Sequence, residues 1–141
     1  MQAVLLDTSI YIAALRAEGP LVRLEGIAAG TVLWLSAVVL EELYAGAGVR
    51  DREYVEQLEH GFRTAEKILV PTLDDWIEGG KVLARLATKY DYEKIGRNRL
   101  TNDALIATSA ARTGVQVITA NARDFQRLAQ FSSLAWDVVT L

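Results

Sequence analysis

Apolar residues along this chain follow two rhythms that alternate. Short aliphatic runs at Val4 to Leu6, Val32 to Leu35, Ile68 to Val70, Val115 to Thr119 and Leu134 to Val139 predict buried strands. Between them apolar residues recur every three or four positions, the spacing of a helix with one buried face. Such a helix is predicted after Asp7 (Ile10, Ile12 to Leu15) with Thr8 or Ser9 as its cap, and a short one from Leu21 to about Ala28 beyond the Gly19-Pro20 break. Ser36 is placed to cap a helix over Ala37 to Ala47, which stops near Gly46 and Gly48. Tyr54, Val55, Leu58 and Phe62 mark a helix from Asp51 to about Glu66, and Asp74 to about Lys89 forms another with Trp76, Ile77, Val82, Leu83 and Leu86 on its inner side. Residues 90 to 100, polar and basic, are predicted as a loop. Thr101 or Asn102 then caps a helix from Asp103 to about Thr113, which Gly114 ends, and Ala122 to Ala129 is the last short helix.

Strands alternating with helices imply an α/β fold: a mostly parallel sheet with helices on both faces. No repeat, linker or low-complexity tract divides the chain, so residues 1–141 are expected to form one domain. Composition agrees, since 51% hydrophobic and 23% charged residues describe a globular chain. The apolar runs are far shorter than the ~20 residues a bilayer demands, and no Lys or Arg precedes the first of them as in a secretory signal. A cytoplasmic protein is the expectation, with no membrane partner. The net charge of −3 excludes a body held to nucleic acid by overall charge, so such a partner needs a local basic patch or a bound cation. The absence of cysteine excludes disulfides, thiol nucleophiles and zinc–thiolate sites, and His60 is the sole histidine.

The acids carry the candidate chemistry. In open α/β sheets ligands gather at the carboxyl ends of strands, and Asp7 directly follows the first strand. Asp124 lies just beyond the strand ending at Thr119, Asp103 heads the helix feeding that strand, and Glu41 and Glu42 lie in the helix after the second strand. Carboxylates converging within ~4–6 Å raise one another's pKa unless a cation compensates. With no cysteine and one histidine, an all-oxygen shell suits Mg²⁺ or Mn²⁺, whose waters serve as nucleophiles and whose charge neutralises phosphate. Each acid alone also has a plainer account. Asp103 would complement a helix dipole, Asp7 would cap a helix, Glu41 or Glu42 would be solvated, and Asp124 would be a turn residue.

Four segments together resemble the PIN-domain ribonucleases, in particular the VapC-like toxins of bacterial and archaeal toxin–antitoxin pairs. They are "LLDTSIYIAAL", "SAVVLEELYAG", "NDALIATSA" and "VITANARDF", in that order from residue 3 nearly to the end. The resemblance assigns the four acids to Asp7, Glu42, Asp103 and Asp124. It prefers Glu42 to Glu41 because Glu42 stands six after Ser36 and before Leu43, and Gly46, one turn on, leaves room for something to approach. Thr8, Ser9 and Thr119 fall where such proteins carry site hydroxyls, and Asn121 matches the family's Asn. Ala120 departs from it, standing where many relatives have a longer polar or basic residue.

The resemblance implies a three-layer α/β/α sandwich and a metal-dependent endoribonuclease, usually a homodimer, inhibited by a cognate antitoxin that covers the acidic cleft. Asp7, Glu42, Asp103 and Asp124 would hold one or two Mg²⁺ or Mn²⁺ ions while Thr8 and Ser9 orient a water or a carboxylate. Lys94, Arg97 and Arg99, with Arg123 beside Asp124, are the candidates for contact with an RNA backbone; an ordinary solvated loop is the alternative. Trp34, Trp76 and Trp136 suit core or subunit-interface positions better than base stacking. Ser9 stands where a phosphatase of the haloacid-dehalogenase type needs a second Asp. Two other readings stay open: a PIN-like domain that binds RNA or protein without cutting, and a housekeeping RNA-processing nuclease.

Overall fold

The computed structural model describes residues 1–16, 24, 26–91 and 97–140, with the backbone alone at 97–99. Five strands, β1 (Gln2–Leu6), β2 (Thr31–Ser36), β3 (Ile68–Leu69), β4 (Gln116–Thr119) and β5 (Trp136–Val138), form one sheet in the order β3-β2-β1-β4-β5. Every pairing is parallel: Val4 stands opposite Leu33 on one side and Gln116 on the other. Successive residues of a strand point to opposite faces, yet Val4, Leu5 and Leu6 are all at most 1% exposed. Both faces of the central strand are therefore covered, which makes the three-layer α/β/α arrangement.

The connections are α1 (Thr8–Arg16), α2 (Ala37–Gly46), α3 (Val49–Thr64), α4 (Leu73–Tyr90), α5 (Arg97–Thr113) and α6 (Ala122–Leu128). Ser36 caps α2 as expected, its hydroxyl accepting from the Val38 N–H at 3.1 Å. Helix α4 opens with a reciprocal cap: the Asp75 N–H donates to the Thr72 hydroxyl and the Thr72 N–H to the Asp75 carboxylate. Ile10, Tyr11, Val39, Val55, Leu86, Ile106 and Phe125 bring these helices into one core with the strands.

Three expectations change. The last helix but one does not start at Asp103: α5 begins at Arg97, because Leu100, 1% exposed, drives its first turn into the core. The loop predicted over residues 90 to 100 is thus helical at both ends, and residues 92–96 lie outside the described part. Second, Trp76 and Ile77 do not lie on the inner side of α4, whose buried positions are Asp75, Gly79, Val82 and Leu86. Third, strand β5 covers only Trp136–Val138. The helix predicted from Leu21 falls largely outside the described residues.

Candidate active site

Strand β1 is flanked by β2 on one side and β4 on the other, so the chain's winding reverses between β1 and β4. A crevice at the carboxyl ends of the strands forms at such a reversal, and Asp7 and Thr119 are the residues that end up there. The Asp7 N–H donates to the Ile118 carbonyl at 2.9 Å, which continues the ladder, while its own carbonyl accepts from Ile10 at 3.0 Å and starts α1. The side chain is 5% exposed. Its Oδ1 accepts from the Thr8 N–H at 2.7 Å, and its Oδ2 accepts from the hydroxyls of Ser9 and Thr119, both at 2.9 Å. A buried carboxylate with three donors is oriented and paired even without an opposite charge.

Two further acids join through the same donors. The Thr8 hydroxyl donates to Glu42 Oε1 at 2.9 Å, so adjacent residues of α1 hold the two carboxylates. On the other side the Asn121 N–H donates to Thr119 Oγ1 at 2.9 Å, and the Asn121 amide reaches Asp124 Oδ2 at 3.4 Å. The Ala120 N–H donates to Ser9 Oγ at 3.1 Å, which closes the turn after β4 over the start of α1. Burial pushes the Glu42 carboxyl up from its ordinary value. The charges of Asp7 and Glu41 add to the rise, and hydrogen bonds from Thr8 and Asn102 oppose it. Glu41, one residue earlier, is exposed.

Asp103 is half-buried on α5, next to Asn102, whose side chain bonds Glu42. Asn102 was predicted only as a cap; in the structure it lies inside α5 and ties that helix to the acid on α2. Among the described residues no three acids stand close enough together to cage a metal ion. The hydrogen bonds instead link Asp7 to Glu42 and, through Thr119 and Asn121, to Asp124.

A family model of the PIN domain matches residues 4–130. The chain belongs to the PIN domain family. Its fold is similar to that of VapBC2 from Rickettsia felis, solved with a DNA fragment of its promoter, at a TM-score of 0.69 and 21% identity over 98% of this chain and 99% of that one. DNA-bound VapBC from Salmonella typhimurium gives 0.69 at 24% identity over 98% of each chain. VapBC-1 from nontypeable Haemophilus influenzae gives 0.63 at 23% over 97% of this chain and 98% of that one. No curated protein matches the sequence.

This PIN domain also has a cleft beside Glu42. A cavity of about 140 Å³ lies between α1 and α2, lined by Ile12, Arg16, Glu42, Gly46 and Asp51 among others. A Cβ on Gly46 would meet nothing within 4 Å, so the space foreseen there is present. Arg123 is exposed beside Asp124. Lys94 lies outside the described residues, and Arg97 and Arg99 fall in the first turn of α5, with their side chains outside the described part. His60 is exposed on α3.

Proposed function

We propose that this PIN domain is a metal-dependent endoribonuclease that hydrolyses RNA phosphodiester bonds, and that it is the toxin of a toxin–antitoxin pair. The proposed unit is one domain over residues 1–141. The observation that carries the reading is the Asp7 carboxylate at the β1–β4 reversal, held by Thr8, Ser9 and Thr119 and joined through Thr8 to Glu42. A buried acid held by three donors and set against a second acid goes beyond what a helix cap requires.

The donor set fits a hard divalent cation. Asp7, Glu42, Asp103 and Asp124 offer oxygen only, which suits Mg²⁺ or Mn²⁺ and excludes a zinc site of the nitrogen and sulfur kind. When bound, such an ion supplies an activated water and neutralises charge on the scissile phosphate. The protein's own groups prepare for it. Ser9 and Thr119 fix Asp7 Oδ2 and Thr8 fixes Glu42 Oε1, while burial, with the charges of Asp7 and Glu41, raises the Glu42 carboxyl, a shift that a cation beside it would oppose. Lys94, Arg97, Arg99 and Arg123 would hold the RNA backbone. The likeness to VapBC complexes supports a cognate antitoxin as partner, with the cleft beside Glu42 as the place it would cover.

The test is incubation of the purified, partner-free protein with total RNA in Mg²⁺ or Mn²⁺, followed by end mapping of the products. Discrete cuts that chelator and Asp7→Asn both abolish are expected. RNA that is bound but left whole in both metals would overturn the nuclease reading in favour of a binding module. Cuts confined to maturation sites of precursor RNA would replace the toxin role with a housekeeping one.

A further inference from the structure

Where the end of α4 packs on α6, two cations and two aromatic rings meet outside the acidic crevice. Lys89 Nζ lies over the Tyr90 ring, 5.3 Å from its centre, and 5.8 Å from the centre of Phe131, while Arg127 Cζ lies over Tyr90 at 4.9 Å. These separations fall within the ~6 Å at which the face of a ring attracts a cation. Gln130 ties the group together: its amide N–H donates to the Tyr90 hydroxyl at 2.7 Å, and its carbonyl oxygen accepts from Lys89 and from the same hydroxyl. Lys89 and Gln130 are exposed, and Tyr90, Arg127 and Phe131 are half-buried, so the cluster is held in place yet open to solvent.

Charge, position and chemistry say what the cluster faces. Among the described residues neither Lys89 nor Arg127 makes a salt bridge, in a chain with 18 acids to 15 bases. Two positive charges drawn to one ring repel one another, so an anion beside them is favoured. The phenol feels them as well: the bond with Gln130 holds Tyr90 below its ordinary pKa, and the charges of Lys89 and Arg127 add to the fall. The cluster also continues the crevice. Arg123, Arg127 and Gln130, spaced four and three apart, follow one side of α6 and of the turn that extends it, in which the Ala129 N–H donates to the Phe125 carbonyl at 2.9 Å. Asp124 stands in the first turn of the same helix, and at ~1.5 Å per residue Arg127 is only about 4.5 Å further along its axis. A lysine suits a phosphate as a point charge, whereas the guanidinium plane of an arginine also stacks on a nucleobase. An acidic peptide would use the charges and leave that plane without a partner.

We propose that the Lys89–Tyr90–Arg127 cluster holds an unpaired nucleotide of the RNA strand next to the one at the acidic crevice, with Lys89 on its phosphate and Arg127, seated on Tyr90, stacked on its base. This subsite rests on the RNA reading above and adds to it a contact that only an unpaired base makes. It is tested with the full chain freed of other proteins, by fluorescence anisotropy of a labelled oligouridine of about 12 nucleotides, in Ca²⁺ and over a range of salt. Lys89→Gln with Arg127→Gln should weaken binding about 5- to 100-fold and lower the salt slope by about 0.7, one phosphate contact on a single strand. Arg127→Lys keeps the charge and loses the plane, so it should weaken binding at least about 5-fold with the slope unchanged. Lys81→Gln with Arg85→Gln makes the same change of charge at exposed positions of α4 away from the cluster, and should bind close to wild type. All three should keep the circular dichroism spectrum of wild type. The proposal is overturned if the Lys89 and Arg127 double variant binds like the Lys81 and Arg85 one, or if Arg127→Lys binds like wild type. It also falls if an oligoglutamate of equal charge displaces the oligouridine at equal concentration, since the occupant is then an acidic protein segment. A wild type that neither binds oligouridine nor cuts RNA overturns the RNA reading as well, whereas one that does both while the cluster variants match it overturns the subsite alone.

Discussion

The Thr119 hydroxyl, fully buried, serves two groups at once: it donates to Asp7 Oδ2 and accepts from the Asn121 N–H, each at 2.9 Å. Thr119→Val keeps the shape and removes both bonds. Leaving buried polar groups short of a partner costs about 1–3 kcal/mol, so the urea midpoint should fall accordingly. Loss of a group that orients a metal-binding carboxylate costs about 10–100-fold in affinity, and Mn²⁺ titration by calorimetry should register it, with Thr119→Ser close to wild type. An unchanged Mn²⁺ affinity would take Thr119 out of the site. Local pattern alone marked Asp7 as an acid at a strand end, but Glu41 and Glu42 were equal under helical periodicity. The resemblance preferred Glu42, and the physical difference behind that preference is distant in sequence: Glu42 is half-buried against Thr8 and Asn102, and Glu41 is exposed. Asn102 carried no local signal beyond a helix cap, because its bond to Glu42 depends on how α2 and α5 pack.

Helices α4 and α5 show where element-scale reading succeeds and fails. Both were expected from periodicity, yet α4 is apolar on two flanks, and spacing alone gave no reason to choose Asp75, Gly79, Val82 and Leu86 over Trp76 and Ile77. A carboxylate made the difference: Asp75 is buried because Arg112 of α5 pairs with both its oxygens, at 2.9 and 3.0 Å, and Thr72 caps it. Burial alone raises the Asp75 carboxyl, but the Arg112 guanidinium and the Thr72 N–H outweigh it, so Asp75 sits below its ordinary value. A carboxyl depressed in the folded state stabilises fully above the unfolded value of ~3.9, and that stabilisation is lost as pH falls through the folded value. Wild type should therefore lose more of its urea midpoint than Asp75→Asn as pH drops from about 5 to about 2. At neutral pH the substitution should cost about 1 kcal/mol, since Arg112, 40% exposed, regains water. Parallel acid profiles for the two proteins would contradict the pairing. The start of α5 offers a second check. Leu100 anchors its first turn, so Leu100→Ala should destabilise by about 2–5 kcal/mol, read from the same urea curves; a loss below that range would return residues 97 to 100 to loop.

At the scale of the whole molecule, alternating strands and helices specified a parallel α/β sheet, but not that β1 would stand between β2 and β4. Strand order depends on long-range packing, and it is the order that brings Thr119 to Asp7. Charge acts at this scale too. A molecule of net charge −3 with an acidic crevice repels a polyanion on average, so the proposed binding to RNA would have to rest on the cations proposed for it together with an ion bound by the acids. Each phosphate neutralised on a single strand contributes about 0.7 to the slope of log affinity against log salt. Lys94→Ala with Arg97→Ala should then weaken RNA binding at low salt and reduce that slope by up to roughly 1.4. Measuring the slope in Ca²⁺, so that cutting does not complicate the binding curve, separates this effect from catalysis. The unfolding free energy of the same double variant, read from urea curves, should stay within about 0.5 kcal/mol of wild type, which separates lost phosphate contacts from a lost fold. Weaker binding with an unchanged slope would mean that the loss came through the shape of α5, and Arg123 beside Asp124 would become the cation to remove next.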